Sequence, residues 1–176
     1  DRDYWSRLKG GMLSDSNNWL KLITTSIEIK NEIVLLDPTE KKERKLLNFG
    51  HTIGHAIESF SLQNDKTPLL HGEAIAIGMI CEAYLSNKVL NLPNDELVNI
   101  STTILNLFPF FKLDTSFYHS YIELMKNDKK NDNNTINFTL LSEIGEGCIN
   151  QEANIELIID ALNYYNENGF VIFSKC

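Results

Sequence analysis

Three of the four histidines in this 176-residue chain fall between positions 51 and 71. They lie in Lys45-Leu46-Leu47-Asn48-Phe49-Gly50-His51-Thr52-Ile53-Gly54-His55-Ala56-Ile57-Glu58 and its echo, His71-Gly72-Glu73-Ala74. On a helix of about 3.6 residues per turn, His51 and His55 share one face, about 40° apart. His71 heads the next helix-like run. Two histidines one turn apart, with a third from the following element, are the usual parts of a divalent metal site with one position left open. The pattern is not HExxH, because Thr52 follows His51, so the general base of a zincin peptidase is missing. Glu40, Glu58 and Glu73 are candidate carboxylate ligands or bases. Glu73 also has a simpler reading, as an acid favouring the dipole in the first turn of a helix. His119, alone on an apolar face, reads as structural. From the residues alone, metal binding, catalysis and a packing role all stay open for the trio.

The elements that must position these side chains read mostly as helix. Residues 1–13 carry Tyr4, Trp5 and Leu8, a short helical stretch ending at Gly10-Gly11, and Ser14-Asp15-Ser16 offers N-caps for the next. Over 18–36, Trp19, Leu22, Ile23, Ile27, Ile33 and Val34 recur at helical spacing until Asp37-Pro38 breaks the run. The charged residues 39–45 read as a solvated loop or helix start. The histidine helix spans 48–60 and contains Gly50 and Gly54. Each glycine costs about 1 kcal/mol relative to alanine, so the pair points to close approach by a backbone or a ligand. Residues 71–88 are apolar nearly all round, the mark of a buried helix, which places His71 at the mouth of the core and not on the outer surface. Further helices are expected over 96–107, 114–126 and 152–166. Residues 127–134 read as a polar loop around Lys129 and Lys130. Residues 135–141 alternate like a strand through Leu140, with a turn at Gly145 and Gly147 and a return at Cys148-Ile149. The fold class is mainly α: a helical domain with one small β-hairpin near the C-terminus.

Composition sets limits. A formal charge of −8 argues against a general nucleic-acid surface, while leaving room for a local basic pocket at Lys129-Lys130. Cys81, Cys148 and Cys176 are odd in number and far apart, without CxxC, which fits a reducing, cytoplasmic setting better than a disulfide framework. No apolar run approaches the roughly 18 residues a membrane helix needs, and no signal-peptide pattern is seen. The chain starts at Asp1 inside apparent helix and reads as a fragment.

Residues Arg44 to Glu58, followed by His71-Gly72-Glu73-Ala74-Ile75-Ala76-Ile77-Gly78-Met79, closely resemble 3-dehydroquinate synthase. Lys30, Asp37 and Glu40 before the motif and Asp128-Lys129-Lys130 after it agree, so the resemblance runs over about positions 4–165. It implies that residues 1–176 are the C-terminal domain of such an enzyme, holding metal and substrate, and that the NAD-binding N-terminal domain is absent from this chain. It implies zinc or cobalt on His51 and His71, with a glutamate ligand and a substrate lysine from an Ala-Glu-x-x-Lys segment that would lie just before Asp1; residues 1–13 match no part of it. By motif position His55 faces the substrate phosphate in a proton-transfer role, and Glu40 is a proton acceptor. Lys30, Arg44, Asn48 and one of Lys129 and Lys130 contact substrate. Lys42 stands where the family commonly has glycine.

The implied reaction turns 3-deoxy-D-arabino-heptulosonate 7-phosphate into 3-dehydroquinate and phosphate, on the shikimate route to aromatic amino acids. Cations are needed for its carboxylate and phosphate, with arginine suited to the bidentate contact. The implied partners are this small phosphorylated molecule, the enzyme's own N-terminal domain and a second subunit in a homodimer, with neither nucleic acid nor membrane. Without an NAD site the fragment alone is expected to be inactive. A related sugar phosphate cyclase, such as a 2-deoxy-scyllo-inosose synthase, is the alternative enzyme. A non-catalytic metal-binding or dimerisation module is the alternative of another class.

Overall fold

The computed structural model describes residues 1–9, 18–127 and 136–173. Among them are α1 (Arg2–Lys9), α2 (Trp19–Leu36), α3 (His51–Asn64), α4 (His71–Val89), α5 (Asn94–Leu107), α6 (Tyr118–Lys126) and α7 (Ile155–Phe173). One antiparallel hairpin, β1 (Asn137–Glu143) and β2 (Glu146–Glu152), precedes α7. The chain is therefore mainly α with a small late hairpin, as its periodicities indicate. The expected caps at Ser14-Asp15-Ser16 lie outside the described residues. No described helix is long and apolar enough to cross a membrane.

α4 is the axle. Ala74, Ala76, Ile77, Ile80, Cys81, Ala83 and Leu85 are all buried, and α3, α5, α7 and β1 pack around them. Fully burying an aliphatic side chain such as Ile80 or Leu85 stabilises the fold by about 1.5–3 kcal/mol. The α3–α4 contact is closer than side chains allow. A Cβ on Gly78 would overlap the Gly50 carbonyl oxygen and stand 2.7 Å from the Gly54 nitrogen; one on Gly54 would stand 3.0 Å from the Ala74 carbonyl oxygen. The glycines expected to permit a close approach do so, backbone against backbone.

Several boundaries differ from the sequence reading. The histidine helix begins at His51, not at 48. Glu43–Asn48 is a tight 3-10 segment, and Gly50 is the N-cap in a left-handed conformation, φ +82. Only glycine adopts that conformation without penalty, and it turns the chain sharply into α3. The hairpin turn is at Ile144-Gly145, with Gly145 at φ +100, while Gly147 lies within β2. Leu140 pairs with Cys148, and the register shifts on either side of that region. Thr139 is buried along with Phe138 and Leu140, because its hydroxyl donates to the Lys45 carbonyl at 2.9 Å. The last helix starts at Ile155 and runs to Phe173, and Ile155 is exposed where Ile158 and Leu162 are buried. On α2 only Leu22 is buried, whereas Trp19, Leu20, Ile23, Ile27, Leu35 and Leu36 face outward.

Gly78→Ala forces the α3 and α4 backbones apart. Such overpacking costs about 1–3 kcal/mol, so Tm is expected to fall by roughly 2–12 °C in a chain of this size. Thermal unfolding by circular dichroism checks this; an unchanged Tm would contradict the close contact.

Candidate active site

α3 and α4 run antiparallel, so Gly50 meets Met79 and Gly54 meets Ile75, while Glu58 meets His71. The return from α3 to α4 is pinned by Ser61, which is buried. Its hydroxyl donates to the Asp65 carboxylate at 2.6 Å and accepts the Leu69 N–H at 2.9 Å. The loop is thereby folded back, and α4 starts beside the middle of α3. Glu73 reaches back to the Leu70 N–H at 2.8 Å. It caps α4, in keeping with the simpler of its two readings.

This packing gathers three imidazoles. Ring centroids are 5.2 Å apart for His51–His55, 5.8 Å for His51–His71 and 5.7 Å for His55–His71. One ring nitrogen from each lies within 4.8 Å of the others. His71 Nδ1 is 3.0 Å from a Glu58 carboxylate oxygen, and His51 Nδ1 is 3.2 Å from the Phe49 carbonyl oxygen. Both oxygens only accept, so in the neutral rings Nδ1 carries the proton and Nε2 keeps its lone pair. Orientation of an imidazole by a carboxylate or carbonyl on its far nitrogen is the usual outer support of a metal ligand. Nitrogen donors in this number suit a borderline ion such as zinc or cobalt. His71 is more open than its neighbours in sequence imply. Its side chain is 57% exposed, because it occupies the first position of α4, beyond the part of that helix that is covered.

A second group forms around Asp37, just past the end of α2. Its carboxylate is buried and accepts three backbone N–H groups, from Lys41 (3.1 Å), Lys42 (2.7 Å) and Arg44 (3.2 Å). Those hydrogen bonds, the one from Lys42 foremost, hold its carboxyl below the ordinary carboxylate range. The cradle bends the chain so tightly that Glu40 takes φ +56. Glu40 then accepts from the Asn48 amide at 3.1 Å and lies 3.7 Å from the Arg44 guanidinium. Arg44 also donates to the Pro38 carbonyl at 3.2 Å. The charged run, expected to be a solvated loop or helix start, is an exposed turn that leads into the 3-10 segment and is held from within by Asp37.

Glu40 and Asn48 open onto a hollow of about 410 Å³ that Lys45, Thr52, Asn137 and Asn150 also line. A second hollow, of about 490 Å³, is lined by His55, Glu58, Ser59, Leu124 and Asn127, and shares Thr52 with the first. His55 and the Glu40–Asn48 pair thus line neighbouring hollows that meet at Thr52, in the first turn of α3. Lys30 is exposed on α2 and makes no hydrogen bond or ion pair with that group. Lys129 and Lys130 lie outside the described residues, just past Asn127. Cys81 is fully buried, and burial pushes its thiol well above the usual range. Sequence reading missed Glu82. It is 0% exposed and accepts the N–H of Gly50 at 2.7 Å and of Ile53 at 3.2 Å. One acid inside an otherwise apolar helical run was the available signal, since a buried carboxylate must find donors.

Residues 1–131 match the family model described as 3-dehydroquinate synthase C-terminal. A 3-dehydroquinate synthase of Parabacteroides distasonis is 38% identical over 96% of this chain and 53% of its own length. One from Methylacidiphilum infernorum is 39% identical over 78% of this chain and 41% of its own. The chain spans about half the length of the relatives it matches. Among solved structures, 2-epi-5-epi-valiolone synthase from Streptomyces hygroscopicus subsp. jinggangensis 5008, with NAD+ and Zn2+ bound, superposes with a TM-score of 0.77 at 20% identity, over 96% of this chain and 47% of that one. That likeness is one of fold. A 2-deoxy-scyllo-inosose synthase complexed with carbaglucose-6-phosphate, NAD+ and Co2+ gives 0.65 at 27% identity, over 80% and 40%.

The Asp37 cradle carries a pH signature. A carboxyl whose folded value is depressed contributes stability that is fully present above its unfolded value, near 3.8, and lost as pH falls through the lower folded value. Protection of the Lys42 and Arg44 amides against hydrogen exchange is expected to persist at pH 5 and vanish in strong acid. Asp37→Ala should abolish it at pH 5 as well. Protection independent of Asp37 would refute the cradle.

Proposed function

The chain belongs to the 3-dehydroquinate synthase C-terminal family, and from that premise we propose that it is the metal- and substrate-holding domain of a 3-dehydroquinate synthase. In this reading residues 1–176 work with an NAD-binding N-terminal half. Together they convert 3-deoxy-D-arabino-heptulosonate 7-phosphate to 3-dehydroquinate and phosphate in the shikimate pathway. The observation that carries it is the meeting of three imidazoles where α3 packs on α4, with His55 lining a hollow that shares Thr52 with the one lined by Glu40 and Asn48.

His51 and His71 would hold a divalent ion, each ring steadied at Nδ1 by Phe49 or Glu58. A bound ion would supply polarisation of the oxygens at the alcohol to be oxidised, and NAD the redox capacity. His55 presents its imidazole to the substrate phosphate and moves a proton there. Glu40 accepts a proton at its carboxylate, kept in place by Asn48 and Arg44. Arg44 and Asn48, with Lys30 and one of Lys129 and Lys130, bind the anionic substrate. Bound zinc in one related fold and cobalt in another fit either metal. We place the protein in the cytoplasm as a homodimer; free Cys81 and Cys148 fit the compartment, and the outward apolar residues of α2 give surface for protein contact.

The inosose synthase likeness keeps a second reading alive, a cyclase for another sugar phosphate. The 38% identity of a named 3-dehydroquinate synthase across nearly the whole chain favours the first. Assaying the protein with both halves and NAD on the heptulosonate phosphate and on glucose 6-phosphate separates them. Phosphate release from the first substrate is expected, and release from glucose 6-phosphate alone would overturn the assignment.

Ion titration by calorimetry divides the histidines. His71→Ala should weaken zinc or cobalt binding by more than about 100-fold, since even an outer-shell partner is worth 10–100-fold. Affinity equal to wild type would remove His71 from the ligand set. His55→Ala should leave the affinity near wild type and lower kcat by about 10²–10⁴-fold. A loss of ion binding there would make His55 a ligand instead.

A further inference from the structure

We infer that Glu82 is a positioning residue that sets His51 in register with His71. The inference rests on the reading that these two histidines hold the ion. A helix start leaves backbone N–H groups without intrahelical partners, and the N-cap side chain normally accepts from the third residue. The N-cap of α3 is Gly50, which has no side chain. It cannot be Ser, Asp or Asn, because of its positive φ and because a Cβ there would collide with Met79. The acceptor therefore comes from α4. Glu82 takes the Gly50 N–H on one carboxylate oxygen and the Ile53 N–H, at that third position, on the other. Its negative charge faces the positive end of the α3 dipole.

The two clamped amides bracket His51 in the chain. On α4, positions 71, 75, 78 and 82 follow the 4–3–4 spacing of a single helix face. His71, Ile75 against Gly54, Gly78 against Gly50 and Glu82 therefore lie along one stripe. That stripe carries one imidazole at its start and fixes the helix of the other at its far end. Sliding α3 along α4 by one residue means about 1.5 Å of translation and 100° of rotation, which would separate His51 from His71 and strip both bonds from Glu82. Glutamine is nearly isosteric but supplies one acceptor oxygen and a donating amide. Glu82→Gln therefore leaves one clamped N–H facing a donor without emptying the space.

The test is a Co2+ titration followed by visible absorption, on wild type, Glu82→Gln and Leu162→Ala. Leu162 is a buried α7 residue, and this variant controls for general loss of stability. Glu82→Gln is expected to lower Co2+ affinity by about 10–100-fold, the range for outer-shell partners, and to change the cobalt absorption band while far-ultraviolet dichroism stays native. Leu162→Ala should keep the wild-type band. Wild-type affinity and band in Glu82→Gln would overturn the inference, as would an equal effect in Leu162→Ala. If the Gln variant does not fold, Glu82→Asp carries the test. It keeps both acceptors on a shorter arm, and weaker binding is expected, with equal binding overturning the claim. If wild type takes up no Co2+, the metal reading fails and the positional claim is decided by NMR. Contacts between the His51 and His71 rings should be lost in Glu82→Gln, and their retention would overturn it.

Discussion

Two packed helices are ordinarily held about 8–10 Å apart by the side chains between them. Where α3 crosses α4, glycines at 50, 54 and 78 remove those side chains and the backbones touch. The rest of the molecule follows from this contact. Gly50 must adopt its left-handed turn, so the chain enters α3 sharply from the 3-10 segment. The missing cap must come from across the contact, so a carboxylate is buried at Glu82. Because the helices are antiparallel, the first turn of α4 arrives beside the first two turns of α3, which is where the imidazoles are.

The hairpin is fastened to this pair by hydroxyls and backbone groups as well as by the buried side chains of Phe138 and Leu140. Thr52 donates to the Asn137 carbonyl at 2.9 Å, and Ser86 accepts the Leu141 N–H at 2.9 Å. Thr139 ties β1 to the 3-10 segment at Lys45. These directional bonds fix where Asn48 and Glu40 stand relative to α3. An acidic chain can still place a cation where one is needed, as Lys45 stands at the hollow lined by Glu40 and Asn48, since net charge acts only at long range.

Much of this was legible in the sequence. The i, i+4 histidines, the all-round apolar α4 and the alternating β1 announce themselves through local periodicity, and the long histidine motif pointed to the family. What stayed hidden depends on another element's register. Nothing local shows that Gly50 lies outside the helix, because its neighbours 46–49 carry helix-compatible residues; only the approach of Gly78 decides it. The Asp37 cradle was hidden because its three donors are backbone groups of residues whose side chains suggest solvent. His71 was expected at the mouth of the core. It does begin a buried helix, yet exposure varies along that helix, and its first turn projects past the covering elements.

The return between α3 and α4 has a different bearing on how such a protein can change. Surface connections generally accept added residues at little thermodynamic cost. Residues 65–70 look like such a connection, yet Ser61 grips both ends of them, at Asp65 and Leu69. Their span determines where His71 begins. Lengthening this loop by even one residue would alter the reach of an imidazole, while the Ile144-Gly145 turn carries no such constraint from the histidines. Over evolutionary drift or in an engineered insertion library, this short surface segment therefore behaves as though it belonged to the interior.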